Sequence, residues 1–232
     1  MLNMLEEAER DPSVSTILRD PYALNPEGAP RGLDGPEKTY PEYDPDFKAW
    51  IAPFVMAEIN TKVVRRSHAL LGSPYGSGFR YDEAILMPFG QLGFPLAVAL
   101  AGGTASFNAA MRTGALRRWL STLLPSPGTG PDRAAREAGH FQIQLLGKHP
   151  DRSSADLRLR IRGNRDPGYG ATARMLGESA VCLAKDPLTS AGGVLTPAVA
   201  MGDALIDRLD EEGCVQFLPY EAGTSHRTGT AG

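Results

Sequence analysis

The stretch RIRGNRDPGYGATARMLGESAVC, residues 160–182, sets Gly163, Gly168 and Gly170 between a strand-like run and a helical one. Glycines at such a junction can let backbone amides close on a phosphate, so a dinucleotide turn is the first chemistry to test. The spacing fails the test. A pyrophosphate cradle needs G-x-G-x-x-G directly between strand and helix, whereas these glycines run G-x4-G-x-G with Arg165, Asp166 and Pro167 intervening. No alternating β-α-β pattern with an acid about 20 residues on accompanies them, and no G-x4-G-K-[ST] occurs. What the turn does carry is Arg165, Asp166 and Tyr169. A second glycine-rich loop, GSPYGSGFRYDEA at 72–84, presents Tyr75, Arg80 and Tyr81 on tight backbone. Asp166 reads first as the N-cap of the helix that follows it, with Tyr169 packing beneath.

The elements that would hold these residues follow from periodicity. HFQIQLLGK (140–148) and SADLRLRIRG (154–163) alternate apolar with polar residues around the turn-rich HPDRSS, which predicts an antiparallel hairpin with one wet face. Arg158, Arg160 and Arg162 line that face, usually a solvated arrangement and sometimes an anion site. A helix over 169–185 follows, with Met175, Leu176, Ser179, Ala180 and Leu183 on or near one side. Thr196 and Pro197 start a further helix that Gly213 stops, and CVQFLPY closes as a strand. Upstream, 47–71 reads as a helix through Trp50, Ile51, Phe54, Val55, Ile59, Val63 and Leu70, with Pro53 in its first turn. Lys62, Arg65, Arg66 and His68 then suit the negative end of its dipole without any anion site. The Pro- and Gly-rich 19–46 excludes a long helix or a central strand and drapes over a core.

From Ala84 to Met111 no charged residue occurs, and Arg112, Arg117, Arg118 and Trp119 follow. Pro88, Pro95 and several glycines argue against a spanning helix. An apolar hairpin or interfacial helix over 84–118, and a buried helical pair or dimer seam, both remain open. The N-terminus lacks the basic start of a secretory signal. Leu2, Leu5 and Ala8 form a stripe with no capping residue ahead, as if the chain began part-way through a helix. A formal net charge of −3 gives no reason to expect nucleic acid. Cys182 and Cys214 lack metal-ligand spacing and read as two buried free thiols, so no metal is expected. Residues 221–232 form a polar tail. The class that emerges is α+β, a mixed and largely antiparallel sheet packed by helices, with an apolar helical insertion and no Rossmann domain.

The segments DPYALNP, PFVMAEINTKVVRRSHALLG, YGSGFRYDEA, REAG, GNRDPGYGATARMLGESAVCLA and GGVLTPAVAMGDALIDRL, in this order, resemble the saccharopine dehydrogenase-like oxidoreductases. That group includes trans-acting enoyl reductases. The similarity runs from about residue 1 to 218 and covers the family's C-terminal portion, so 1–220 is expected to be a substrate and dimerisation domain. The resemblance implies NAD(P) as cofactor, held by an N-terminal Rossmann domain that nothing here matches. It implies a lipid or acyl substrate, a homodimer or a separate Rossmann-bearing partner, and a cytoplasmic place with peripheral membrane contact through 84–118. An enoyl reductase needs a proton donor and a group that polarises the carbonyl. Tyr169 and Tyr81 are the candidate donors, with Arg80, Arg165 and Asp166 as candidate substrate-binding residues. The rival expectation is a non-catalytic module that binds a membrane, lipid or partner.

Overall fold

The computed structural model describes residue 7 and residues 11–88, 90–112 and 129–219. The N-terminal stripe, the basic cluster with Trp119 and the polar tail lie outside these residues. The described chain holds helices α1 (Pro12–Arg19), α2 (Ala57–Leu70), α3 (Gly93–Arg112), α4 (Arg133–Ala138), α5 (Gly170–Lys185), α6 (Pro197–Ala200) and α7 (Gly202–Glu211). Six strands complete it: β1 (Glu42–Asp44), β2 (Ala49–Pro53), β3 (Ala84–Leu86), β4 (Phe141–Gly147), β5 (Leu157–Gly163) and β6 (Val215–Pro219). The class is α+β as expected, but the strands divide into two three-stranded antiparallel sheets, β1-β2-β3 and β4-β5-β6. The chain correspondingly forms two compact units, Val194–Thr196 belonging with the first.

In the first unit the expected helix over 47–71 begins ten residues late. Asp44 Oδ1 accepts the amides of Asp46 at 2.8 Å and Phe47 at 3.0 Å, which turns the chain after β1. Lys48, at φ 52°, completes the turn, and Ala49–Pro53 returns as a central strand. Pairing on both sides satisfies the backbone of β2 and outweighs the helical spacing of Trp50, Ile51 and Phe54. β1 is an edge strand, as the proline-rich stretch allows. Ala52, Met87 and Ala97 form the core, with Trp50 and Ile85 packed against it. α3 lies on β2 through the small stripe Gly93, Ala97 and Ala101, and a Cβ on Gly93 would come within 2.7 Å of the Pro88 carbonyl. Over 84–112 the chain is therefore one strand and one helix. Among the described residues no helix is long and apolar enough to cross a membrane.

The second unit contains the expected hairpin, with Ile143 opposite Ile161 and Leu145 opposite Leu159. Phe141 faces Gly163, where an added Cβ would fall 2.0 Å from the Phe141 ring. The ring thus occupies the space that the absent side chain leaves. Leu209, Cys214 and Val215 form the core beneath Phe141, Ile161, Met175, Leu205 and Phe217. α5 departs from its expected face. It buries Ala171 and Cys182 and half-buries Met175 and Ser179, while Leu176, Ala180 and Leu183 point to solvent. The helix expected from Pro197 breaks into α6 and α7 at Gly202, φ 50°, and ends at Gly213, φ 61°. There the Cys214 amide returns to the Leu209 carbonyl at 2.9 Å. Both cysteines are free and buried, and burial pushes each thiol's pKa up.

Candidate functional site

In the first unit the inward face of α2 is Ala57, Thr61 and Arg65, while Val55 and Ile59 from the expected apolar face are exposed. Arg65 is 3% exposed and is the hub of the unit. Its Nε donates to Asp34 Oδ2 at 2.9 Å, and its Nη1 to Glu37 Oε1 at 3.1 Å and Thr61 Oγ1 at 3.0 Å. Its Nη2 donates to the Tyr81 carbonyl at 2.9 Å. Asp34 also accepts from the Tyr81 amide and the Tyr22 hydroxyl, each at 3.2 Å. Its own amide donates back to the Tyr22 oxygen at 3.0 Å. A Cβ on Gly32 would lie 2.6 Å from that oxygen, so glycine there admits the phenol. Lys62 donates to the Leu18 carbonyl and Arg66 to that of Leu24. The basic run thus corrects the dipole reading: its cations bind carboxylates and carbonyls of the long N-terminal arm and hold the arm on the helix.

Beside this hub lies a cavity of about 300 Å³, lined in part by Asp34, Glu37, Lys38, Arg65, Arg80 and Tyr81. Two of the candidate residues therefore meet in one place. Arg80 is exposed at the cavity and has no hydrogen bond or ion pair among the described residues. A guanidinium so placed can bind a carbonyl or an anion. Lys38 is committed elsewhere, to Glu42 at 3.0 Å and Asp82 at 3.6 Å. The Tyr81 hydroxyl donates to Glu83 Oε1 at 3.0 Å, and Asn60 Nδ2 holds Glu83 Oε2 at 2.9 Å. Burial first, and then the Glu83 charge, push the Tyr81 phenol above the usual tyrosine range. It stays protonated, as a weak acid whose proton already serves a carboxylate. Tyr75 stacks on His68 with ring centroids 5.5 Å apart and also meets Phe79.

Arg165, Asp166 and Tyr169 belong to the second unit. Asp166 Oδ2 accepts the amides of Tyr169 at 2.7 Å and Gly170 at 3.2 Å, and these bonds hold its carboxyl below the usual carboxylate range. The Asp166 amide donates to the Arg136 carbonyl at 3.0 Å. A Cβ on Gly139 would lie 2.5 Å from the Asp166 backbone, and one on Gly170 would lie 3.0 Å from the Arg136 carbonyl. REAG and GNRDPGYG, far apart in the chain, are therefore one packed corner. Tyr169 is 56% exposed and its ring lies against Gly130. This turn does not fit a dinucleotide. The amides that would receive a pyrophosphate already hold a carboxylate, which would repel it. Among the described residues no group of His, Cys, Asp and Glu could hold a metal ion. Sequence reasoning missed Arg65, Asp34, Glu37 and Glu83. The one available signal was two acids and two glycines in a polar arm, GLDGPE, upstream of a helix with mid-face cations.

No family model matches the chain, and no solved structure matches it. Curated relatives do. The chain is 39% identical over 226 residues to a putative trans-acting enoyl reductase of Mycobacterium tuberculosis, covering 92% of this chain and 53% of that protein. It is 33% identical over 225 residues to a trans-acting enoyl reductase of Mycobacterium ulcerans, covering 91% and 52%. The corresponding protein of Mycobacterium bovis is 34% identical over the same shares. The chain spans about half the length of the curated relatives it matches, and across that half it is homologous to proteins named trans-acting enoyl reductases.

Proposed function

We propose that this chain forms the acyl-substrate side of an NAD(P)-dependent enoyl reductase that works in trans, in lipid metabolism. The observation that carries the reading is likeness to relatives of that name along 92% of the chain. Two features support it. Of the segments that carry the resemblance, PFVMAEINTKVVRRSHALLG and YGSGFRYDEA supply Arg65, Arg80 and Tyr81 to the cavity, REAG packs on GNRDPGYG at the Asp166 corner, and Arg80 offers a cation to a thioester carbonyl or an anionic carrier group. The cofactor, on this reading, is held outside the described residues, because the Gly163–Gly170 turn binds its own carboxylate. Tyr81 or Tyr169 would supply the proton; Tyr169 is the more exposed, and among the described residues no acid holds its hydroxyl. The test is calorimetric titration of the full chain with an enoyl N-acetylcysteamine thioester. Saturable binding that Arg80→Ala weakens about tenfold is expected; absence of binding, or equal binding by the variant, overturns the assignment.

A second reading has its own observation. α3 exposes Phe94, Leu96, Val98, Leu100 and Phe107, on a segment without charge from 84 to 111. That surface suits a non-catalytic lipid- or partner-binding module. Flotation with liposomes that is lost in Phe94→Glu and Leu96→Glu, both folded, would favour it. No flotation of the wild-type chain would remove its membrane form.

A further inference from the structure

The second sheet ends on one side in an unguarded strand. β4 (Phe141–Gly147, FQIQLLG) pairs with β5 along one edge, and among the described residues no strand pairs with the other. An outer row of amides and carbonyls of this kind is a template for a further strand. The devices that close such an edge are missing from it. β4 holds no charged residue and no proline, and its one-to-one register with β5 from Phe141 to Gly147 leaves no bulge. The opposite edge differs: β6 is shorter and closes on Pro219, which has no amide to offer. A second observation falls on the same strand. Phe141, Ile143 and Leu145 share the face that carries Ile161 and Phe217 to the core, yet Ile143 is 46% exposed. The core thus covers the start of β4 and leaves its middle bare.

We infer that β4 pairs antiparallel with β4 of a second copy of this chain, about a two-fold axis through Gln144, so that two three-stranded sheets become one. The inference concerns the second unit alone, goes beyond the reductase reading and does not depend on it. The strand itself argues for its own copy as the occupant. Pairing centred on Gln144 engages all seven residues of β4. It sets Ile143 opposite the partner's Leu145 and Leu145 opposite the partner's Ile143, so two apolar pairs flank the axis on the core face. The bare Ile143 leaves water there. On the other face Gln144 meets the partner's Gln144, and a side-chain amide can both donate to and accept from its twin. Phe141 falls opposite the partner's Gly147, where no side chain opposes the ring. An uncharged strand offers a strongly acidic or basic partner nothing to recognise, whereas an identical strand supplies the apolar pairs and the amide pair at once. The axis uses up both β4 edges, and Pro219 closes the outer ones, so assembly stops at two copies.

The test uses the full chain in sedimentation equilibrium, with single substitutions in β4. The wild type should be dimeric at about 50 μM. Ile143→Lys sets an ammonium against both apolar pairs and should weaken dimerisation about tenfold or more, while circular dichroism shows the fold retained. Cysteine substitutions then read the register. Gln144→Cys brings two thiols directly opposite across the axis, within reach of a disulfide. Gln142→Cys leaves its two thiols four residues out of step, ~13 Å apart and beyond that reach. Cys182 and Cys214 are buried, so oxidised glutathione acts on the introduced thiol. Gln144→Cys should give a covalent dimer and Gln142→Cys should not. Gln142 and Gln144 are both exposed, so these variants retain the fold and decide the matter should Ile143→Lys unfold. A wild-type chain that stays monomeric up to about 100 μM overturns the inference. So does wild-type dimerisation by a folded Ile143→Lys chain, or an equal yield of covalent dimer, none included, from the two cysteine variants.

Discussion

Arg65→Met keeps an apolar stem of similar length and deletes the guanidinium at the hub of the first unit. Five hydrogen bonds disappear, to Asp34, Glu37, Thr61 and the carbonyls of Pro21 and Tyr81. Asp34, 8% exposed, keeps only the Tyr22 and Tyr81 donors, while Glu37, 20% exposed, is partly solvated. Removing one member of a buried pair costs about 3–5 kcal/mol, because the other charge stays behind. The partial solvation of Glu37 places the expected loss near the lower end, about 3 kcal/mol. The assay is urea unfolding followed by Trp50, which sits against the first core. A Trp119→Phe background makes that signal unique, since the chain has two tryptophans. With a slope of about 1.5–2 kcal/mol per molar urea, the midpoint should fall by about 1.5–2 M. In an Asp34→Asn background the same change should cost less than half as much, because no buried anion is stranded. A loss below about 1 kcal/mol, or an equal loss in both backgrounds, would refute the reasoning that this ion pair organises the unit.

The other predictions concern the second unit and the titrating groups. Gly163→Ala pushes a Cβ into the Phe141 ring and should destabilise by about 1–3 kcal/mol. Phe141→Leu should relieve most of that penalty in thermal unfolding, and a penalty unchanged by it would show that the ring is not the obstacle. Tyr81 ionises less readily in the fold than in the unfolded chain, whose tyrosines titrate near 10.0. Above that pH the unfolded state binds fewer protons, so stability intact below it is lost as pH rises. Tyr81→Phe should flatten this alkaline loss, and an identical slope in the variant would count against a perturbed phenol. Cys182 and Cys214 should both resist a thiol-reactive disulfide reagent in the native chain and react at once in urea, as buried thiols with raised pKa values do.

What could be read in advance divides along physical lines. The hairpin of β4 and β5 was legible because two alternating runs flank a turn-rich loop, although Ile143 and Leu157, on the side expected to be apolar, are exposed. Gly213 was legible from local pattern too, and so was an Asp166 carboxylate bound to nearby amides, although the cap position of α5 is Tyr169 and Asp166 stands three residues ahead of it. β2 was not. AWIAP is short, its apolar residues continue into a helical spacing, and only pairing with Glu42–Asp44 and Ala84–Leu86 makes it a strand. The role of Arg65 was hidden for a related reason. Its carboxylate partners stand 31 and 28 residues upstream in a segment without periodicity, so nothing local distinguishes it from Arg66. On α5 the apolar residues fall on two sides, and tertiary packing alone chooses Met175 and Cys182 over Leu176 and Leu183. Of the candidate site residues, Arg80 and Tyr81 share a cavity, whereas the Asp166 carboxylate is engaged by the Tyr169 and Gly170 amides.

The central claim is that these residues handle the acyl chain while the nicotinamide cofactor is held elsewhere. Titrating the folded chain into NADPH, with and without the enoyl thioester, and following cofactor fluorescence tests it most directly. The account predicts no saturable change in either case from a chain that binds the thioester. Saturation with NADPH, abolished by Gly170→Val, would contradict it and make the Gly163–Gly170 turn a cofactor site after all.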